Sequence, residues 1–134
     1  MELQQNYNYE VIKRKILTTF LFIDSNDTML ILDNDDGRIY EWNSGNNIPT
    51  RIIFDRSYDL MSMFIPRSGD IYANSYDSSE INRWRATTNS IEHVTYFCGF
   101  CGGIFIDRNN ALYCSLTEFD QVVVKSNHWI EIQV

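Results

Sequence analysis

Polar and apolar positions alternate along this chain in short blocks, and the blocks recur at a fixed distance. Three segments superpose without gaps over 21 residues: FIDSNDTMLILDNDDGRIYEW (Phe22 to Trp42), FIPRSGDIYANSYDSSEINRW (Phe64 to Trp84) and FIDRNNALYCSLTEFDQVVVK (Phe105 to Lys125). Their opening phenylalanines lie 42 and 41 positions apart. Leu30, Tyr72 and Tyr113 share a column, as do Ile39, Ile81 and Val122. Trp42 and Trp84 close the first two copies, and Lys125 stands in that column in the third. Self-similarity at such a spacing is the signature of a repeat architecture.

Each copy predicts three short strands. The first ends at Phe-Ile. A turn follows (DSND, PRSG, DRNN) in which Asp27, Gly69 and Asn110 share a column. These residue types tolerate the left-handed backbone of a tight hairpin. The second strand is MLILD, DIYAN or ALYCS. A polar loop leads to the third, RIYEW, EINRW or QVVVK. A further apolar run (TRIIF, EHVTYF, WIEIQV) supplies a fourth. Helical solenoids do not fit, because no copy sustains apolar residues at i, i+3 and i+4. An immunoglobulin-like sandwich would not require the same residue types to return at this period. The expected fold is all-β, built of propeller-type blades of four antiparallel strands.

The columns resemble the NHL-repeat family of β-propellers, whose blades read roughly Asp-x-x-Gly-Asn-Leu-Tyr-Val-x-Asp, then a short loop, then Asn-Arg-Ile and an aromatic. The first copy carries Asp24, Leu30, Asp33, Arg38, Ile39 and Trp42 at matching places. The second keeps Gly69, Ile71, Tyr72, Ile81 and Trp84, with Ser75 and Glu80 where the family favours Asp and Arg. The third keeps Asp107, Asn110, Leu112, Tyr113 and Val122, with Leu116 and Gln121 at those columns. The resemblance covers about residues 20–134. It implies a platform, since members mostly bind proteins, some bind RNA and a few are enzymes. Function therefore has to be sought in the site.

Three complete blades are expected, at about residues 20–57, 58–99 and 100–134, with residues 1–19 a partial preceding blade or N-terminal strand. Val11-Ile12-Lys13-Arg14 looks like the third-strand run ending at Lys125. Closed propellers usually have four to eight blades. Three would leave two apolar blade faces open, to be covered by further blades of a longer protein, covered by a second copy of the chain in a six-bladed ring, or left open with altered end residues.

Composition narrows the partners. The chain has 18 acidic and 11 basic residues, a net charge of −7. The basic residues are dispersed, which argues against nucleic acid, since phosphate neutralisation needs a positive stripe. No apolar run approaches the ~20 residues of a membrane-spanning helix. The opening MELQQNYNYE has no signal-peptide pattern, and no compartment follows from it.

The stretch YFCGFCGG (Tyr96 to Gly103) holds two of the three cysteines. In the repeat frame it joins the second blade to the third, and the equivalent joints Arg14 to Phe20 and Phe54 to Ser62 contain no cysteine. Three readings stand. Cys98, Cys101, Cys114 and His93, with His128 as a further candidate, could form a tetrahedral zinc site, although no second C-x-x-C pair completes the pattern. The three thiols could simply be buried or half-buried. Or Cys101 and Cys114 could form a disulfide: a turn centred on Arg108-Asn109 would place Cys114 opposite Gly103 and diagonal to Cys101, needing an irregular strand start to close the gap. A thioredoxin-like role fails because GGIFID after the motif is strand-like, not a helix N-terminus.

No catalytic set emerges. The loop DNDDG (Asp33 to Gly37) lacks the EF-hand's glycine and glutamate positions and reads as a turn. There are two histidines and no G-x-S-x-G. The metal-using amidating lyases related to the NHL family place several histidines around a channel, which this chain cannot supply. No cofactor is expected. The preferred reading is a non-catalytic binding or scaffold module that engages a protein or peptide, basic or polar in character, through one rim. That rim comprises Asn34, Asp35, Asp36, Tyr76, Asp77, Glu80, Glu118, Phe119 and Asp120, in loops that vary between copies. The alternatives are part of a larger propeller enzyme or metal-binding propeller whose site lies mostly outside this chain, and a degenerate fragment without activity of its own.

Overall fold

The structure, a computed structural model, describes residues 18–126 except 25, 34, 44, 47, 55–59 and 77. The expected partial blade before residue 18, the fourth strand at 129–134, and the candidates Asn34, Asp77 and His128 lie outside the described residues. Eleven strands are described, in three antiparallel sheets that follow the repeat. The first blade holds β1 (Thr18–Ile23), β2 (Met29–Asp33), β3 (Arg38–Trp42) and β4 (Arg51–Ile52) in that spatial order. The second holds β5 (Leu60–Phe64), β6 (Ile71–Ser75), β7 (Glu80–Arg85) and β8 (Ser90–Tyr96). The third holds β9 (Cys101–Ile106), β10 (Leu112–Leu116) and β11 (Gln121–Lys125). The first strands β1, β5 and β9 pack against one another, so they form the inner edge and successive strands run outward.

The first hairpins turn where the sequence places left-handed residues. Asp27, Gly69 and Asn110 have φ of 59°, 84° and 62°. The outer copies share one hydrogen-bond scheme. The Asp24 carboxylate accepts from the backbone N–H of Asn26 and Thr28 at 2.8 and 2.9 Å, and Asp107 accepts from those of Asn109 and Ala111 at 2.8 and 3.0 Å. The second blade has Pro66 there, and its turn is closed by Gly69 N–H donating to Pro66 O at 3.0 Å. A second left-handed column occupies the next loop, with φ of 69°, 57° and 51° at Gly37, Ser79 and Asp120.

The register differs from the expected one in a repeated way. In each blade the first strand shifts by one residue relative to the second: between Thr18 and Phe20, between Leu60 and Ser62, and between Cys101 and Ile104. A bulge of this kind bends a strand and sharpens its twist. It also starts the first strands earlier than the apolar pattern suggests. Cys101, Gly102 and Gly103 belong to β9, and only residues 97–100 connect the blades. In the third blade Ser115 braces the bulge, its hydroxyl accepting from Gly103 N–H at 2.8 Å and contacting Gly103 O at 3.3 Å. Gly102 beside it leaves room for Thr117, since a Cβ there would lie 2.5 Å from Thr117 Oγ1 and force that side chain to shift. The fourth run of the first copy also differs. Only Arg51–Ile52 is strand, and Phe54 leaves the sheet to plug the core.

Alternation then sorts side chains to the two faces of each blade. Leu30, Leu32, Ile39 and Phe54 of the first blade pack on Leu60, Met63, Ile71 and Trp84 of the second. Tyr72, Ile81 and Val94 of the second pack on Cys101, Ile104, Leu112 and Leu116 of the third. Phe105, Val122 and Val124 on the far face of the third blade are 52%, 73% and 56% exposed. Phe105 and Val122 share columns with Phe64 and Ile81, which the third blade covers.

The joint between the second and third blades is held by buried polar groups. Asn74, fully buried, accepts from Cys101 N–H at 2.9 Å and donates to Glu80 O at 3.1 Å. The buried Ser62 hydroxyl donates to Cys101 O at 3.1 Å. Asn74→Ala leaves a backbone donor and a backbone acceptor without these partners, and is expected to cost about 2–3 kcal/mol by the usual cost of stranding buried groups. Urea unfolding measures this, and a cost below about 0.5 kcal/mol would show that the joint does not depend on Asn74.

Candidate functional site: two opposite rims

Strand order sets the geography of the molecule. The loops between second and third strands share one rim with the connections between blades. The first hairpins lie on the other rim.

On the first rim, around the junction of the second and third blades, the structure brings several expected residues together. Tyr76 is 47% exposed and packs against Phe100 with ring centroids 5.0 Å apart. The adjacent Gly99 lies against the Phe119 ring and the Glu118 carboxylate, at 3.3 and 3.4 Å from the position a Cβ would take. Phe119, half-exposed, and Glu118 ride on a short 3-10 turn, Thr117–Phe119, which ends at the left-handed Asp120. Glu80 accepts from the Ser78 hydroxyl at 3.2 Å and lies 3.7 Å from His93 Nδ1. The result is a strip of aromatic rings bordered by carboxylates.

The first-blade loop is committed differently. Asp36 accepts from Arg38 N–H at 3.1 Å, bonds the Tyr40 hydroxyl and pairs with Arg38 at 3.8 Å. Its charge therefore serves the loop. Asp35 is exposed, its N–H donating to Asp33. The signals that sequence reasoning missed are Phe100 and Tyr96, which lie in or beside the YFCGFCGG connection and are aromatic in a stretch whose cysteines drew attention.

Of those cysteines, Cys101 and Cys114 are joined by a disulfide, and Cys98 is an exposed free thiol. The turn before Cys114 is centred on Asn109, not on Arg108-Asn109, so Cys114 faces Ile104 and not Gly103. The bulge then returns Cys101 to the same inward face, with the two Cα atoms 5.3 Å apart. A zinc set of Cys98, Cys101, Cys114 and His93 is not assembled, since two of its thiolates are used in the disulfide. The His93 ring stacks near Tyr96 at 4.3 Å. Among the described residues no group of three or more His, Cys, Asp or Glu could hold a metal ion.

The opposite rim carries two clefts at the blade junctions. The one between the first and second blades, about 670 Å³, is floored by Trp84 and Ile53 and bordered by Arg51, Glu41 and Arg67. Arg51 binds Glu41 through two hydrogen bonds of 3.1 and 3.2 Å and lies 4.8 Å over the Trp84 ring. The other, about 720 Å³, lies between the second and third blades.

Antiparallel sheets of four, four and three described strands, packed side by side with their first strands innermost, define β-propeller blades. Solved structures bear this out. The chain is similar to a streptogramin B lyase (TM-score 0.65, 14% identity, covering 89% of this chain and 40% of that one). It is also similar to the WD40 β-propeller domain of Doa1 (TM-score 0.65, 13% identity, 80% and 36%). A catalytically inactive virginiamycin B lyase from Staphylococcus aureus, solved with quinupristin, is a third (TM-score 0.60, 15% identity, 88% and 44%). The chain spans less than half the length of each. No protein-family model and no curated protein sequence matches it.

Proposed function

We propose that this chain is a non-catalytic binding module of NHL type, and that the aromatic and acidic rim at the second and third blades recognises a basic peptide segment of a partner protein. The observation that carries the proposal is the continuous strip Tyr76, Phe100 and Phe119 bordered by Glu80, Glu118 and Asp120. Exposed rings present a negative face to Arg or Lys, each contact worth about 0.5–1 kcal/mol, and neighbouring carboxylates reinforce it. The open face of the third blade is the surface on which a further blade or a second copy would pack, because its columns match those buried inside the chain.

Fluorescence anisotropy with a labelled peptide alternating Arg and Gly, and a Glu–Gly counterpart, tests the rim. The basic peptide is expected to bind, and Tyr76→Ala with Phe119→Ala together should weaken it about tenfold, the sum of two such contacts. Equal binding of the Glu–Gly peptide, or unchanged affinity in the double variant, would reject the proposal.

A further inference from the structure

On a chain of net charge −7, one cleft is positive. The hairpin tips of the second and third blades place Arg67 and Arg108 in the same repeat column, three residues after Phe64 and Phe105. Both are exposed, and neither has an ion pair or hydrogen bond among the described residues. Both border the cleft of about 720 Å³ between those blades, whose walls are Phe64, Ile65, Tyr72 and Ile106. Its acidic group is Asp107, and the oxygens of that carboxylate are already taken. One accepts from the N–H of Asn109 and of Ala111, the other from the Tyr113 hydroxyl at 3.1 Å. The Ala111 N–H foremost holds Asp107 below the usual carboxylate range against the opposing effect of desolvation, with the Asn109 N–H and the Tyr113 hydroxyl adding to it. It is thus a fixed anion turned to its own turn, while the two guanidinium groups are free to meet a ligand.

The neighbouring cleft is the internal contrast. There Arg51 is matched by Glu41, while Arg67 lines both clefts and Asp24 accepts from the N–H of Asn26 and Thr28 in its own turn. In the positive cleft Arg67 and Arg108 outnumber Asp107 by one. Guanidinium groups bind carboxylates bidentately, and low-dielectric apolar walls strengthen the field between them. We infer that this cleft binds an acidic peptide segment, its carboxylates on Arg67 and Arg108 and an apolar or aromatic side chain against the partly exposed Phe64 and Ile65. The module then has two recognition rims of opposite charge preference, and the inference does not depend on the acidic rim being occupied.

The experiment is an anisotropy titration with a labelled peptide alternating Phe and Glu, against Phe–Lys and Gly–Glu counterparts. The Phe–Glu peptide should bind most tightly, and Arg67→Ala/Arg108→Ala should weaken it about tenfold or more by loss of charge-assisted bonds. Both arginines project from exposed hairpin tips, so this variant should keep the wild-type circular dichroism spectrum. It should also keep its affinity for the Arg–Gly peptide on the opposite rim. Binding of Phe–Lys as tight as Phe–Glu, or wild-type affinity in the double variant, overturns the inference. So does equal binding of Gly–Glu, which would remove the role of the apolar walls.

Discussion

Trp84→Ala is expected to destabilise the chain by about 3–5 kcal/mol, the range for deleting a fully packed large aromatic. Trp84 is buried between the first two blades, in one cluster with Leu30, Leu32, Ile39 and Phe54. Its indole N–H donates to Asn89 Oδ1 at 2.8 Å, and Asn89 is itself held left-handed with φ of 53° to close the β7–β8 turn. Truncation removes the ring, strands the Asn89 oxygen and takes away the surface under the Arg51 guanidinium. Trp84→Phe retains most of the ring volume and should recover more than half of the loss. Equilibrium urea unfolding distinguishes the cases. A Trp84→Ala chain within about 1 kcal/mol of wild type would mean the column is a surface platform and not core.

That column illustrates what the sequence can carry. Trp84 fills a slot against the first blade, and Trp42 in the same column is buried beside Ile31, Tyr40 and Met29; recurrence is visible without coordinates. Lys125 fills the slot differently: its ammonium reaches Thr95 Oγ1 at 2.8 Å and lies 5.2 Å over the Phe97 ring. The left-handed hairpin column was legible because Asp, Gly and Asn are the residues such backbone selects. Gly37, Ser79 and Asp120 form an equally regular second column, but Ser carries no such mark, so the loop read only as polar. The bulges were not legible, since Thr19, Met61 and Gly102 at the equivalent position share no side-chain property. Their consequence is large, because a one-residue shift decides which face every upstream side chain takes. Charge pairing was also hidden. Arg83 is buried against Tyr72 and Glu92, whereas Arg67 and Arg108 have no ion pair among the described residues, and composition weighs all three alike. Of the expected rim, the tie from Tyr76 to Phe119 runs through Phe100 and Gly99 of the blade connection, a proximity that no local pattern encodes.

Removing the disulfide by Cys101→Ala/Cys114→Ala should cost about 3 kcal/mol and lower the thermal midpoint by roughly 10 °C, from the chain entropy that a cross-link of this span removes from the unfolded state. The bond spans 13 residues and encloses the β9–β10 hairpin, including the bulge. Both sulfurs are fully buried beside Ile104, Leu112 and Leu116, so small apolar replacements leave only modest voids. The bond has a second effect through the joint. Cys101 is the residue whose N–H and C=O are gripped by Asn74 and Ser62 of the second blade. Fixing Cys101 to β10 therefore ties the third blade to that grip. In its absence the third blade should exchange its amides faster than the first two, and this localisation separates a specific role from general destabilisation. Alkylation of the native, unreduced chain reads the bond directly: Cys98 alone should be modified, adding one group by mass. Three groups added without reductant, or an alanine variant that melts with the wild type, would refute the cross-link as a stabilising element of the third blade.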